Sequence, residues 1–164
     1  MKNTYLMAYY DIIAKGYDGL YKEEQLNKLS IIKNNIKIDK NLKILDVGCG
    51  TGISSQFNCK VIGIDPLSNL IKQNNNKNKI IGLAEVLPFK NNSFDYVISI
   101  TAVHNFKNIK KSICEMKRVG RQNFVFSILK KAKKFSYIKN IIEKNFRIEK
   151  IIEEDKDVIF FCKV

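Results

Sequence analysis

The sequence predicts a three-layer α/β sandwich: a mostly parallel, seven-stranded sheet that ends in an antiparallel hairpin, with helices on both faces. Three observations predict it. From residue 40 onward, apolar runs of strand length alternate with segments long enough for a crossover helix, the pattern of a parallel sheet. The last two apolar runs are separated only by residues 153–157, too few for a crossover helix. The first run opens straight into a glycine-rich turn, as the first βα turn of a ligand-binding α/β sheet does.

Each element follows in order. Runs at 43–47, 61–65, 80–84, 94–100 and 123–129 are spaced for βα units and supply five parallel strands. Runs at 146–152 and 158–163 supply the hairpin. Ahead of the sheet, 5–20 and 22–35 read as two helices, the second with Leu26, Leu29, Ile32 and Ile36 three or four apart. They are expected to cover the sheet or its ligand end. The polar stretch 72–79, KQNNNKNK, reads as a solvated helix end and loop.

With 164 residues the chain has room for one domain, spanning 1–164, with 1–36 as its covering helices. Apolar residues at 45% and charged residues at 27% exclude a disordered chain. No run reaches the roughly 18 apolar residues of a membrane span, and the start, Met1-Lys2-Asn3-Thr4, lacks the apolar segment of a signal peptide. A cytoplasmic location without a membrane partner is the expectation. Cys49, Cys59, Cys114 and Cys162 form no CxxC pair, so neither a zinc clamp nor a redox couple is expected, and no metal site. They read as free, mostly buried thiols, with Cys114 in the core.

Charge is the departure from average. Twenty-nine Lys and Arg against 16 Asp and Glu give a net +13, and only three of the cations are Arg. Within residues 107–150, 14 basic residues meet only Glu115, Glu143 and Glu149, a net +11; the other 120 residues carry 15 bases and 13 acids, a net +2. The densest cluster, Lys130, Lys131, Lys133 and Lys134, follows the fifth strand, where the ligand edge of an open α/β sheet lies. Such a cluster can neutralise phosphates, with Phe135 and Tyr137 as stacking surface, which points to RNA as a partner.

The turn after the first strand reads Ile44-Leu45-Asp46-Val47-Gly48-Cys49-Gly50-Thr51-Gly52. Glycines allow the tight turn and a close approach of ligand to backbone amides. The spacing is neither that of a dinucleotide loop nor that of a P-loop. The next strand, Val61-Ile62-Gly63-Ile64-Asp65, ends in an acid 17 positions after Gly48, where a carboxylate can accept both hydroxyls of a ribose.

ILDVGCGTG, then VIGID, then AEVLPFKNNSFDYVIS together resemble the class I S-adenosylmethionine-dependent methyltransferases, specifically the type 11 methyltransferase domain, across roughly residues 40 to 130. The stretch Tyr10-Asp11-Ile12-Ile13-Ala14-Lys15-Gly16-Tyr17-Asp18 resembles the YDxxAxxYD helix that often precedes it. The resemblance implies a Rossmann-like fold, S-adenosylmethionine as cofactor and S-adenosylhomocysteine as product. It implies that Tyr10 and Tyr17 close over the cofactor and that Asp46 helps hold its methionine ammonium. Backbone at Gly48, Cys49 and Gly50 would line the methionine and ribose, and Asp65 would take the ribose hydroxyls. Pro66 and Leu67 would flank the adenine with Leu87 nearby. Ala84 and Glu85 match the third motif, and Ser99 lies at the end of the fourth strand beside the cofactor. The acid that commonly precedes AE is Leu83 here, and only 53–59 separate the glycine turn from the next strand, room for at most two helical turns.

Methyl transfer from a sulfonium needs alignment and exclusion of water, and a base only where the nucleophile must lose a proton. His104, the one His in the chain, follows the fourth strand and is the candidate base. The other reading has it cap or pack the next helix. No NPPY or DPPY follows that strand, and no Cys there sits in a Pro-Cys setting. The acceptor expected is RNA, as tRNA or rRNA. The alternatives are a small molecule, a protein acceptor, or a non-catalytic cofactor-binding subunit; a small activating protein is an expected partner.

Overall fold

The computed structural model describes residues 17–164. Tyr10 lies outside them, and of Tyr17, which opens the first helix, the side chain does as well. Helices are numbered here in chain order as α1 (Tyr17–Asn35), α2 (Ser68–Gln73), α3 (Ile109–Val119) and α4 (Phe135–Asn145). The strands are β1 (Lys43–Val47), β2 (Lys60–Asp65), β3 (Lys79–Ile81), β4 (Phe94–Ile100), β5 (Gly120–Leu129), β6 (Arg147–Glu153) and β7 (Asp157–Lys163). They form one seven-stranded sheet in the order β3-β2-β1-β4-β5-β7-β6. Pairings from β3 through β5 are parallel, and β7 pairs antiparallel with both β5 and β6. The predicted fold is thus the observed one.

Because side chains alternate across a strand, each central strand feeds two cores. Leu45, Val97, Phe124, Phe126 and Phe160 point to one face and meet Ile113, Met116 and Val119 of α3 and Ile138 and Ile142 of α4. Ile44, Ile98, Val125, Ile159 and Phe161 point to the other and meet Ile32 of α1. Both faces of β4, β5 and β7 are therefore covered, which is why these strands read as continuous apolar runs.

Several local expectations are corrected. Helices 5–20 and 22–35 were expected to be separate, but α1 runs unbroken from Tyr17 to Asn35. Leu26 is exposed, while Leu29 and Ile32 are buried. The first crossover is a single 3-10 turn, Ile53–Ser55. No helix joins β3 to β4, where Arg118 instead fixes the loop: it is bidentate to Glu115 and donates to the carbonyls of Leu87 and Phe89. Cys114 is exposed on α3, and only Cys49 and Cys162 are buried.

Among the described residues no helix is long and apolar enough to cross a membrane, and no group of His, Cys, Asp and Glu is placed to hold a metal ion. Phe126 is fully buried at the centre of the larger core, against Phe146 at 5.4 Å between ring centroids. Phe126→Ala should destabilise the fold by about 3–5 kcal/mol, read by urea unfolding.

Candidate functional site

The order of strands reverses between β1 and β4, and ligands bind such sheets at the carboxyl ends beside that switch. Register brings those ends together, with Asp46 opposite Gly63 on β2 and Ile98 on β4. The chain leaves β1 through a turn in which Gly48 has φ +81° and Gly52 φ +85°. A Cβ at Gly48 would collide with that of Ala102, and one at Gly52 with the Asn74 amide. These two positions need glycine for backbone and for space.

The turn is fastened to β2. Gly48 N and Cys49 N both donate to the Ile64 carbonyl, at 2.8 and 3.2 Å. The buried Asp65 carboxylate accepts from Gly50 N at 3.0 Å and from Leu67 N at 2.8 Å. Burial raises the Asp65 pKa, against the pull of the Leu67 and Gly50 amides. On the other side Asn74 Nδ2 donates to the Gly50 carbonyl at 3.1 Å.

Asp46 lies fully buried behind the turn. Its Oδ2 accepts from Ser55 Oγ at 2.6 Å and Ser54 Oγ at 3.0 Å, whereas Oδ1 has no partner. Burial pushes its carboxyl up to about 6; the Ser55 and Ser54 hydroxyls oppose this and the neighbouring Asp65 adds to it. A buried carboxylate with a free oxygen beside a glycine cradle suits a cation, since attraction is strong where water is excluded. The lone pairs that Asp65 retains suit a diol. S-adenosylmethionine has both features, so these residues fit it: Asp46 for its positive end and Asp65 for its ribose.

The remaining predicted residues stand around this centre. Pro66 and Leu67 are half-buried just past β2, and Ala84 is buried. Glu85 accepts from Asn108 N at 2.9 Å, which ties it to the start of α3. Leu83, in place of an acid, is 49% exposed. Leu87 is buried and donates its N–H to Glu115. Ser99 is buried and gives its hydroxyl proton to the Val47 carbonyl at 2.8 Å, locking β4 to the end of β1. His104 follows β4 in a 3-10 turn, half-buried, with Nδ1 enclosed and unpartnered. Burial holds its pKa below the usual value, Asp157 opposing and Lys28 and Lys134 assisting. Lys130, Lys131, Lys133 and Lys134 are exposed where β5 ends, Lys130 lying 3.3 Å from Glu153.

Ser54, Ser55 and Asn74 were not foreseen as part of the site. The expectation of a solvated helix end and loop at 72–79 holds for Lys72, Gln73, Asn75, Lys77 and Asn78, which are exposed, and is corrected at Asn74, which is 1% exposed. Half-buried Asn76 donates to the Val61 carbonyl, and Lys79 bonds the Asn74 carbonyl. An Asn run carries no pattern that separates buried amides from wet ones.

Fold and site define an α/β domain whose β1, β2 and β4 ends fit an adenosine-containing cation. Residues 45–128 match the methyltransferase domain family model. An uncharacterised protein of Methanocaldococcus jannaschii is 36% identical over 151 residues, covering 87% of this chain and 59% of the relative. The ubiquinone biosynthesis O-methyltransferase of Pelagibacter ubique is 30% identical over 66% of this chain and 50% of its own length. The chain thus spans little more than half of these relatives. Two solved structures share the fold at TM-score 0.78 and cover 94% of this chain: a SAM-dependent methyltransferase from Aquifex aeolicus, 16% identical over 98% of its length, and a putative methyltransferase of Haloferax volcanii in complex with the Trm112 activator, 11% identical over 96%. The chain belongs to the methyltransferase domain family, and its cofactor is S-adenosylmethionine.

Asp46 is neutral below pH 6 and offers a cation little there. Since its pKa in the fold stands above the unfolded value, the free protein also gives up stability as pH rises toward 6, and a bound cation reverses that trend. Affinity for S-adenosylmethionine, measured by calorimetry, should rise severalfold from pH 5 to 7. In Asp46→Asn it should be weaker and nearly flat with pH.

Proposed function

We propose that this domain transfers the methyl group of S-adenosylmethionine to RNA. The carrying observation is the position of the basic cluster: Lys130, Lys131, Lys133 and Lys134 are exposed at the carboxyl end of β5, next to β4, whose end carries His104. A lysine-rich rim beside the reacting end of the sheet suits a polyanion, because phosphate contacts position a nucleic acid without reading its sequence. When bound, the cofactor supplies an electrophilic methyl group on its sulfonium. The chain's residues do the rest. Asp46 attracts the positive end, Asp65 and the amides of the glycine turn orient the adenosine half, and β4 lines the reacting end. His104, kept neutral at pH 7 by burial, is in the form that accepts a proton from an acceptor.

The quinone-pathway relative favours a second reading, a small apolar acceptor. A third element of the reading is a small activating protein partner. It rests on the Haloferax volcanii complex and on edge strand β3 with the loop that follows it, where Ile81, Leu83 and Val86 are exposed. Elution of the chain as a monomer with full cofactor affinity and turnover on its own would count against that partner.

Incubation with methyl-tritiated S-adenosylmethionine and separated pools of cell RNA, protein and metabolites distinguishes the acceptors: label should enter RNA, and label in metabolites alone would overturn the reading. RNA affinity should fall steeply with salt. Changing Lys130, Lys131, Lys133 and Lys134 to Gln should weaken it at every sequence and lower the salt slope by about 3.

A further inference from the structure

One buried charged cluster has no part in holding the cofactor. Lys28, on α1, is fully buried, and its ammonium donates two hydrogen bonds and makes one further ion pair. Nζ lies 2.5 Å from Glu24 Oε1, 3.0 Å from Thr101 Oγ1 and 3.2 Å from Asp157 Oδ1, the last an ion pair outside hydrogen-bonding geometry. Asp157, also fully buried, begins β7, and its Oδ2 accepts from Thr101 Oγ1 at 2.8 Å and from Ser127 Oγ. Strand alternation places Ser127 and Asp157 on the face that α1 covers, with Val125 and Ile159. Glu24 pairs further with Lys156 at 2.7 Å, and Asn27 donates to Glu154. Helix α1 is thereby tied to the ends of β4 and β5 and to the β6–β7 turn.

What the cluster grips is Thr101. This residue ends β4 with φ +55°, a left-handed conformation that β-branched residues rarely adopt and that persists only where the surroundings impose it. Its N–H goes to the Ser127 carbonyl at 3.1 Å, and its hydroxyl is held between Lys28 and Asp157. The reversal at Thr101 sends the chain over the glycine turn. Ala102 then packs so tightly on Gly48 that no Cβ fits between them, and Phe106 lies beside it. His104 rides on the same segment, and Asp157, Lys28 and Lys134 are the charges that bear on it.

We propose that Lys28 and Asp157 are positioning residues for methyl transfer: by clamping Thr101 in its left-handed conformation they fix residues 101–106 on the glycine turn and set His104 at the reacting end of the sheet. This rests on the methyltransferase reading of the site. It adds that α1 supplies a charge to the catalytic end of the sheet and does not act only as a cover. Carboxylate and ammonium are buried together, so each offsets part of the other's desolvation, and the loss of either partner leaves the other charge bare.

The test uses the single His as a reporter. Histidine-labelled protein gives one imidazole signal by NMR, and S-adenosylhomocysteine affinity is measured beside it by calorimetry. Lys28→Met should raise the His104 pKa and Asp157→Asn should lower it, opposite signs that general loosening does not produce. The neutral pair Lys28→Met with Asp157→Asn leaves no bare charge between the two, keeps the fold in reach, and should still bind at least tenfold more weakly with a displaced His104 signal. Adding Thr101→Gly to it should restore affinity to within threefold of wild type and return the signal, because glycine takes a positive φ without the clamp. Wild-type affinity and an unmoved signal in the neutral pair would overturn the proposal, as would failure of Thr101→Gly to restore either. If the wild type itself binds no S-adenosylhomocysteine, the cofactor reading fails, and the His104 signal across the same variants still decides for or against the clamp.

Discussion

The rest of the structure depends on how β1 ends. Its backbone must reverse directly against β2, and the Ile64 carbonyl accepts two amides, from Gly48 and Cys49, to hold it there. The Asp46 and Asp65 carboxylates are both buried against this tight turn. Burial raises the cost of ionising both, and Asp65 adds to that of Asp46. Asp65 offsets its share with two backbone amides. Asp46 does so only on one oxygen, through two serines that the shortened 53–55 crossover carries straight to it. The unspent oxygen is the physical reason this pocket favours a cation.

Positive charge is divided by depth. At the surface, the lysines after β5 stand in water, Lys130 beside Glu153, and cost little to keep. In the interior a single lysine among the described residues, Lys28, is enclosed by two carboxylates and a threonine hydroxyl. In the reading proposed above, the first kind would attract the acceptor and the second would set the backbone that receives it. Both lie along the carboxyl edge of the sheet, beside the cofactor turn, so attraction and alignment are built from different residues at one edge.

Much of this was legible in sequence because the pattern is strong. Strands 94–100 and 43–47 are bounded as the alternation of apolar runs predicts, and the hairpin follows from the shortness of 153–157. The glycine turn could be read from its residues, since few side chains tolerate the backbone they occupy, and Asp65 from its place at the end of the next strand. What escaped depends on contacts distant in sequence. Thr101 meets Lys28 across 73 positions and Asp157 across 56, and no local pattern marks a lysine in a polar helix as the buried one. Asn74 escaped for the same reason, as its amide is buried by Gly50 and Cys49, which lie 24 and 25 positions away. Cys114 was misjudged because α3 buries Ile113 and Met116, one on each side of it, and turns residue 114 to solvent.

The central claim is that the two carboxylates around the glycine turn form the cofactor site. Titration calorimetry of S-adenosylmethionine into the wild type and into Asp65→Ala tests it most directly. One cofactor should bind per chain, with affinity falling at least tenfold in the variant while its urea midpoint shows it still folded. Equal affinity in the two proteins, or no binding to the wild type, would contradict the account.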